Sequence, residues 1–156
     1  MPYRRVEIRT TLPFAEVQRR LTSLVGPKRS FTYYFLRRTP SERPFEGEVV
    51  GGGFQFARSI SYRNSFLPQI HADIGLDPQG TVVQLRMSLH PFVVVFMVFW
   101  VGILSVFLFG SLTSDGQDAL SLGAMLLFGL ALTVVGFYPE AFKAERLIRA
   151  ALEAAA

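Results

Sequence analysis

Two stretches of 20 residues, 91–110 and 119–138, contain no charged side chain. A 20-residue helix is about 30 Å long, which matches the hydrocarbon core of a bilayer. A helix in a soluble core is shorter and keeps a polar face; neither stretch has one. Each Leu, Ile, Phe or Val at the centre of such a helix favours insertion by about 0.3–0.6 kcal/mol, and no charge opposes them. The first run is dominated by Val and Phe. The second is softened by Gly123, Gly129, Thr133 and Gly136 but remains rich in Leu and Val. The expectation is a transmembrane helical hairpin over residues 91–138, with a polar loop at 111–118.

Charge sets the orientation. Residues 1–90 carry 13 Arg and Lys against 7 Asp and Glu. The loop holds Asp115 and Asp118 and no cation, and the segment after Tyr138 is balanced. Cations flank the hairpin at Arg86, Lys143, Arg146 and Arg149. Positive charge stays on the cytoplasmic side, so both termini are expected there and the loop outside. The basic residues are nearly all Arg, which fits a GC-rich bacterial genome and hence an inner (plasma) membrane. Anionic lipids of the inner leaflet are the expected partner of the positive domain. No nucleic-acid-binding module is visible. The chain has no Cys, which excludes disulfides, thiol catalysis and Cys-bound metal. No basic stretch precedes an apolar run at the amino terminus, so no cleavable signal is expected.

The rest reads as one small α+β unit. Val6 and Ile8 alternate with Glu7 and Arg9 in a first strand. Thr10-Thr11 offers an N-cap and Pro13 a first turn for a helix whose stripe is Phe14, Val17, Leu21 and Leu24, ended by Gly26-Pro27. Further strands are expected over residues 31–38, 45–50, 54–62, 66–74 and 81–89. Arg58 falls in phase with Phe54, Phe56, Ile60 and Tyr62, so it lies at a sheet edge or is paired inside. The Gly51-Gly52-Gly53 run lacks the following Lys-Ser/Thr and helix of a phosphate cradle and reads as a turn or bulge. Val83, Leu85, Met87 and Leu89 point inward in the cleanest strand, which enters the first span without a linker.

Pro139 is expected to start a new helix. Ala141, Ala144, Leu147, Ile148, Ala151, Leu152 and Ala155 form its apolar face, and Glu140, Lys143, Arg146, Arg149 and Glu153 its polar one. This helix is expected to dock on the first domain. The fold class is thus α+β: a small antiparallel sheet with one amphipathic helix and a C-terminal docking helix, interrupted by the hairpin. The domains are 1–90 (cytoplasmic), 91–138 (spans 91–110 and 119–138) and 139–156 (cytoplasmic helix). The layout resembles helix-grip domains, or a small PH-like sheet capped by a final helix. Likeness of layout does not transmit function.

Three constellations are candidate sites. In Ser61-Tyr62-Arg63-Asn64-Ser65-Phe66-Leu67-Pro68, Arg63 and Asn64 can bind a lipid phosphate or a partner carboxylate, or simply build a polar turn. This segment, with Leu89-His90-Pro91, resembles small bacterial membrane proteins with two transmembrane helices, a likeness that implies no activity. His71 and Asp73 with His90 could bind metal or move protons, but no ligand spacing joins them. In the spans, Gly129, Thr133 and Gly136 form a small-residue stripe suited to close helix approach, with Gly102 and Ser105 a weaker pair. Trp100 lies far from the interface where Trp is usual, which calls for protein contact on its face.

No catalytic constellation can be assembled, and no cofactor or metal is expected. The expectation is a non-enzymatic accessory subunit of a larger bacterial inner-membrane complex. Its contacts with other integral membrane proteins or lipid would run through Trp100, Gly129, Thr133, Gly136, Arg63, Asn64 and Arg86. The alternative is a membrane-anchored module binding a lipid or small apolar ligand between sheet and helix at the cytoplasmic leaflet. A weaker reading, an enzyme acting on lipids, would use His71, Asp73 or Arg63.

Overall fold

The computed structural model describes residues 2–27, 43–50 and 53–153. The elements run β1 (Tyr3–Thr10), α1 (Phe14–Leu24), β2 (Val25–Pro27), β3 (Phe45–Val50), β4 (Gly53–Arg58), β5 (Gln69–Asp77), β6 (Gly80–Ser88), α2 (Pro91–Thr113) and α3 (Ala119–Glu153). The strands form one six-stranded sheet in the order β1-β6-β5-β4-β3-β2. Every pairing is antiparallel except the short β2–β3 pair. The fold is therefore α+β, with a mostly antiparallel sheet and, among the described residues, three helices, two of them long and apolar. The strand expected over residues 31–38 lies outside the described residues.

Period-2 patterning builds the core, since alternate strand residues share a face. Val6 pairs with Leu85 and Ile8 with Val83. Ile70 pairs with Met87 and Ala72 with Leu85, and Phe56 and Phe54 sit opposite Ile70 and Ala72. All are buried on one face. Phe45 meets Phe56 edge-on at 5.0 Å. Two helices cover this face: α1 through Val17 and Leu21, and the last part of α3 through Phe137, Ala141, Ala144, Ile148 and Leu152. An 11-residue helix is marginal alone. Each fully buried aliphatic side chain contributes about 1.5–3 kcal/mol, so packing holds α1 in place.

Several boundaries differ from expectation. The strand expected to reach Tyr62 ends at Arg58, and the next begins at Gln69 rather than Phe66. Phe66 instead belongs to the loop between them, where its N–H donates to Asn64 Oδ1. Thr10 does not cap α1. Its hydroxyl accepts from Leu12 N at 3.3 Å, a local turn, and Pro13 takes the cap position without a side-chain bond. After Leu24 the backbone passes directly into β2, because Val25–Pro27 finds β3 as a partner.

The largest correction concerns Pro139. It starts no new helix: α3 runs unbroken for 35 residues with Pro139 inside it, about 50 Å at the usual rise. A proline in a helix interior removes one backbone bond and crowds the preceding turn. Here the flanking turns are pinned from outside, since Phe137, Glu140 and Ala141 are all buried. The helix faces also differ from expectation. Phe137, Glu140, Ala144 and Ile148 follow one another at helical spacing, so Glu140 lies on the buried stripe and not on the polar face. Leu147, expected on the apolar face, is exposed.

Candidate functional site

Residue 139 marks the place where α3 leaves its apolar stretch and meets the sheet. Glu140 is 2% exposed there. Its carboxylate accepts from Tyr62 Oη at 2.7 Å and from Lys143 Nζ at 3.0 Å, and it forms an ion pair with Arg58. β4 supplies Arg58 because its inward phase carries Phe54, Phe56 and Arg58 in turn. The loop after β4 supplies Tyr62. Burial pushes the Glu140 carboxyl up. The hydrogen bonds from Tyr62 and Lys143 and the charges of Arg58 and Lys143 together outweigh it, so its pKa lies below the ordinary value. Tyr62 moves the other way, raised by burial and by its carboxylate partner. Arg58 Nε is buried with no hydrogen-bond partner among the described residues.

A second ionic group lies beside it. Arg4 on β1 donates through Nε and Nη2 to Glu145, at 3.1 and 2.6 Å, and Arg149 donates to the other Glu145 oxygen at 3.0 Å. The Arg4 guanidinium also sits 4.1 Å over the Phe142 ring. Burial raises the Glu145 pKa, but its two arginine partners bring it below the ordinary value. Arg4, Pro139, Phe142, Lys143, Glu145 and Arg146 line a cavity of about 500 Å³. A groove of about 610 Å³ runs between α2 and α3, lined among others by Met97, Val101, Leu130, Val134 and Tyr138.

The residues singled out in the sequence are scattered among different roles. Asn64 donates from Nδ2 to the Gly136 carbonyl at 2.7 Å and accepts from Phe66 N. It therefore fastens its loop to α3 just before Pro139. Gly136 has no room for a side chain, since a Cβ would lie 2.9 Å from Phe66 Cβ and 3.1 Å from Asn64 Oδ1. Arg63 is exposed on the same loop. Arg86 pairs with Asp73 on the outer face of the sheet, across from His71. His90 is distant in role: its Nδ1 accepts from Phe92 N at 3.2 Å and caps α2. Among the described residues no three His, Asp or Glu side chains converge as metal ligands would.

In the long helices, Gly129 faces Trp100, and a Cβ there would stand 3.1 Å from the indole nitrogen. Trp100 stacks on Phe96 at 6.0 Å, and its N–H is buried without a hydrogen-bond partner among the described residues. Thr133 donates to the Gly129 carbonyl at 2.8 Å and lies 3.6 Å from Met97 Sδ. The pairs 97–133 and 100–129 bring α2 and α3 into contact. Gly102 has open space in place of a close neighbour within the chain.

Sequence reasoning missed Glu140 as a buried group, and missed its assembly with Arg58 and Tyr62. One signal was present, the cation at Arg58 in an otherwise apolar phase, which left a sheet edge or a buried counter-charge as its two accommodations. No protein-family model, curated protein or solved structure matches this chain.

Proposed function

We propose that this chain is a non-enzymatic accessory subunit of a larger assembly in a bacterial inner membrane. Residues 91–110 and 119–138 cross the bilayer, and the α+β unit lies against the cytoplasmic leaflet. The observation that carries this reading is the continuity of α3, which passes from a fully apolar stretch into the core of the sheet. Span and domain are thereby one rigid body, so the domain is held at a fixed height and angle, as an adaptor between membrane proteins requires. A flexible tether would give no such control.

The surface of the long helices supports the membrane half of the reading. Only 11% of the most apolar window of each helix is buried. Phe92, Val95, Phe99, Val106, Phe107 and Phe109 stand exposed on α2, and Leu120, Leu127, Phe128 and Val135 on α3. A contiguous apolar band of this extent needs a cover of lipid or protein. The inner-membrane orientation rests on the loop, which carries Asp115 and Asp118 while every cation lies beyond the spans.

Purification in mild detergent at native expression tests the proposal. A stoichiometric integral-membrane partner is expected. A chain that emerges alone, or only as a self-assembled oligomer, overturns it.

A further inference from the structure

The charged cavity and the apolar groove are lined by residues adjacent in the chain. Pro2 lines the groove and Arg4 the cavity, two residues apart at the start of the chain. Tyr138 lines the groove and Pro139 the cavity. The Tyr138 and Phe142 rings lie 6.4 Å apart across the boundary. The two are neighbours, the groove greasy between the helices and the cavity cationic at the foot of α3.

Charge at the foot is unbalanced. The cavity is lined by Arg4, Lys143 and Arg146 against Glu145, and Glu145 is already satisfied by Arg4 and Arg149. Lys143 uses one donor on Glu140 and an ammonium has three. Arg146 is exposed and makes no hydrogen bond or ion pair with any described residue. Lys143 stands about 7 Å along the helix from Tyr138, at the outer edge of a headgroup layer about 5–8 Å deep, and the long Arg146 side chain, one turn further on, can reach back toward it. Both volumes lie in the range of about 300–1,000 Å³ usual for small-molecule sites.

We infer that this surface binds one anionic phospholipid of the cytoplasmic leaflet, its phosphate on Arg146 and Lys143 and an acyl chain along the Met97–Leu130 groove. The inference rests on the reading of α2 and α3 as membrane spans, and it goes beyond the accessory role. It also moves the ligand away from the interior between sheet and helices, which core side chains occupy.

Trp100 is the chain's single tryptophan but packs against Gly129 outside the groove lining, so the reporter is a Trp100→Phe chain carrying Val134→Trp, whose one indole stands in the groove. This full-length protein is reconstituted in phosphatidylcholine, and quenching of its indole by brominated phosphatidylglycerol is compared with quenching by brominated phosphatidylcholine. Stronger quenching by phosphatidylglycerol is expected. Arg146→Ala should weaken that preference about fivefold, the worth of one cation at a membrane surface. Arg19→Ala, which removes a remote arginine paired with Glu16, should leave it unchanged. Gly102→Leu should also weaken it, because the new side chain enters the open space of the groove without altering charge.

Equal quenching by the two lipids overturns the inference. Equal effects of Arg146→Ala and Arg19→Ala overturn it in favour of diffuse surface attraction, and an unaffected preference in Gly102→Leu removes the acyl-chain site. Should a co-purified protein shield the groove indole from both lipids, the groove belongs to that protein and the inference fails. Absence of any quenching by bilayer bromine would instead mean that the helices do not insert, a failure of the spanning reading itself.

Discussion

Glu140 illustrates how a single buried charge is kept ionised. Its side chain is 3% exposed and that of Arg58 20%, so neither is solvated well enough to stand alone. Removing one partner of such a pair leaves the other unpaired and costs about 3–5 kcal/mol. Glu140→Ala should therefore lower the melting temperature of the detergent-solubilised protein far more than Glu140→Gln, which retains the shape and part of the hydrogen bonding. Tyr62→Phe should cost less, about 1.5 kcal/mol, since it deletes one hydrogen bond to a charged acceptor at a part-exposed residue. The pH dependence follows from the direction of the shift. A carboxylate whose folded pKa lies below the unfolded value of about 4.3 contributes stability that is complete above that pH. The contribution fades as the pH falls through the lowered folded value. Glu140 and Glu145 both behave this way. Acid melts should show stability dropping below about pH 4, with a shallower drop in Glu140→Gln. A wild-type curve flat through that window would contradict the ionised state of the pair.

At the scale of elements, α3 carries the consequences. If Pro139 opened a new helix, replacing it would change little, because the first helical position lacks an intrahelical donor bond in any case. In the interior of a continuous helix, Pro is about 3 kcal/mol worse than Ala. Pro139→Ala should accordingly leave the fold intact and raise the melting temperature; an unchanged temperature would favour a break at 139. Gly136 lies one turn earlier and is pressed against the loop by Phe66 and Asn64. Gly136→Leu should push that loop off α3, break the Asn64–Gly136 hydrogen bond and destabilise the junction. Limited proteolysis between Arg58 and Gln69 reads this directly, with faster cleavage expected in the variant. Gly129 is less tightly enclosed, since its near neighbour is the pyrrole edge of the Trp100 indole at 3.1 Å.

At the scale of the molecule, the native absence of Cys makes orientation directly measurable. Ser23 and Ser114 are both exposed. Single variants Ser23→Cys and Ser114→Cys should label from opposite sides of sealed vesicles; labelling from the same side would refute the two-span orientation. The alternation Val83, Leu85, Met87 and Leu89 was legible in the chain, as were the α1 stripe and the two apolar runs, because each is a local period that one element imposes on its own residues. Local sequence therefore determined that an apolar-faced sheet, a covering helix and two long apolar helices would form. The ion pair of Arg58 and Glu140, 82 residues apart, was not legible, and neither was the meeting of Arg4 with Glu145. The passage of α3 through Pro139 ran against the local rule for proline. Those features were decided by tertiary packing. The burial of Phe137 and Ala141 on the sheet outweighs the local preference of one proline, and buried carboxylates take whichever cations the sheet register brings within reach.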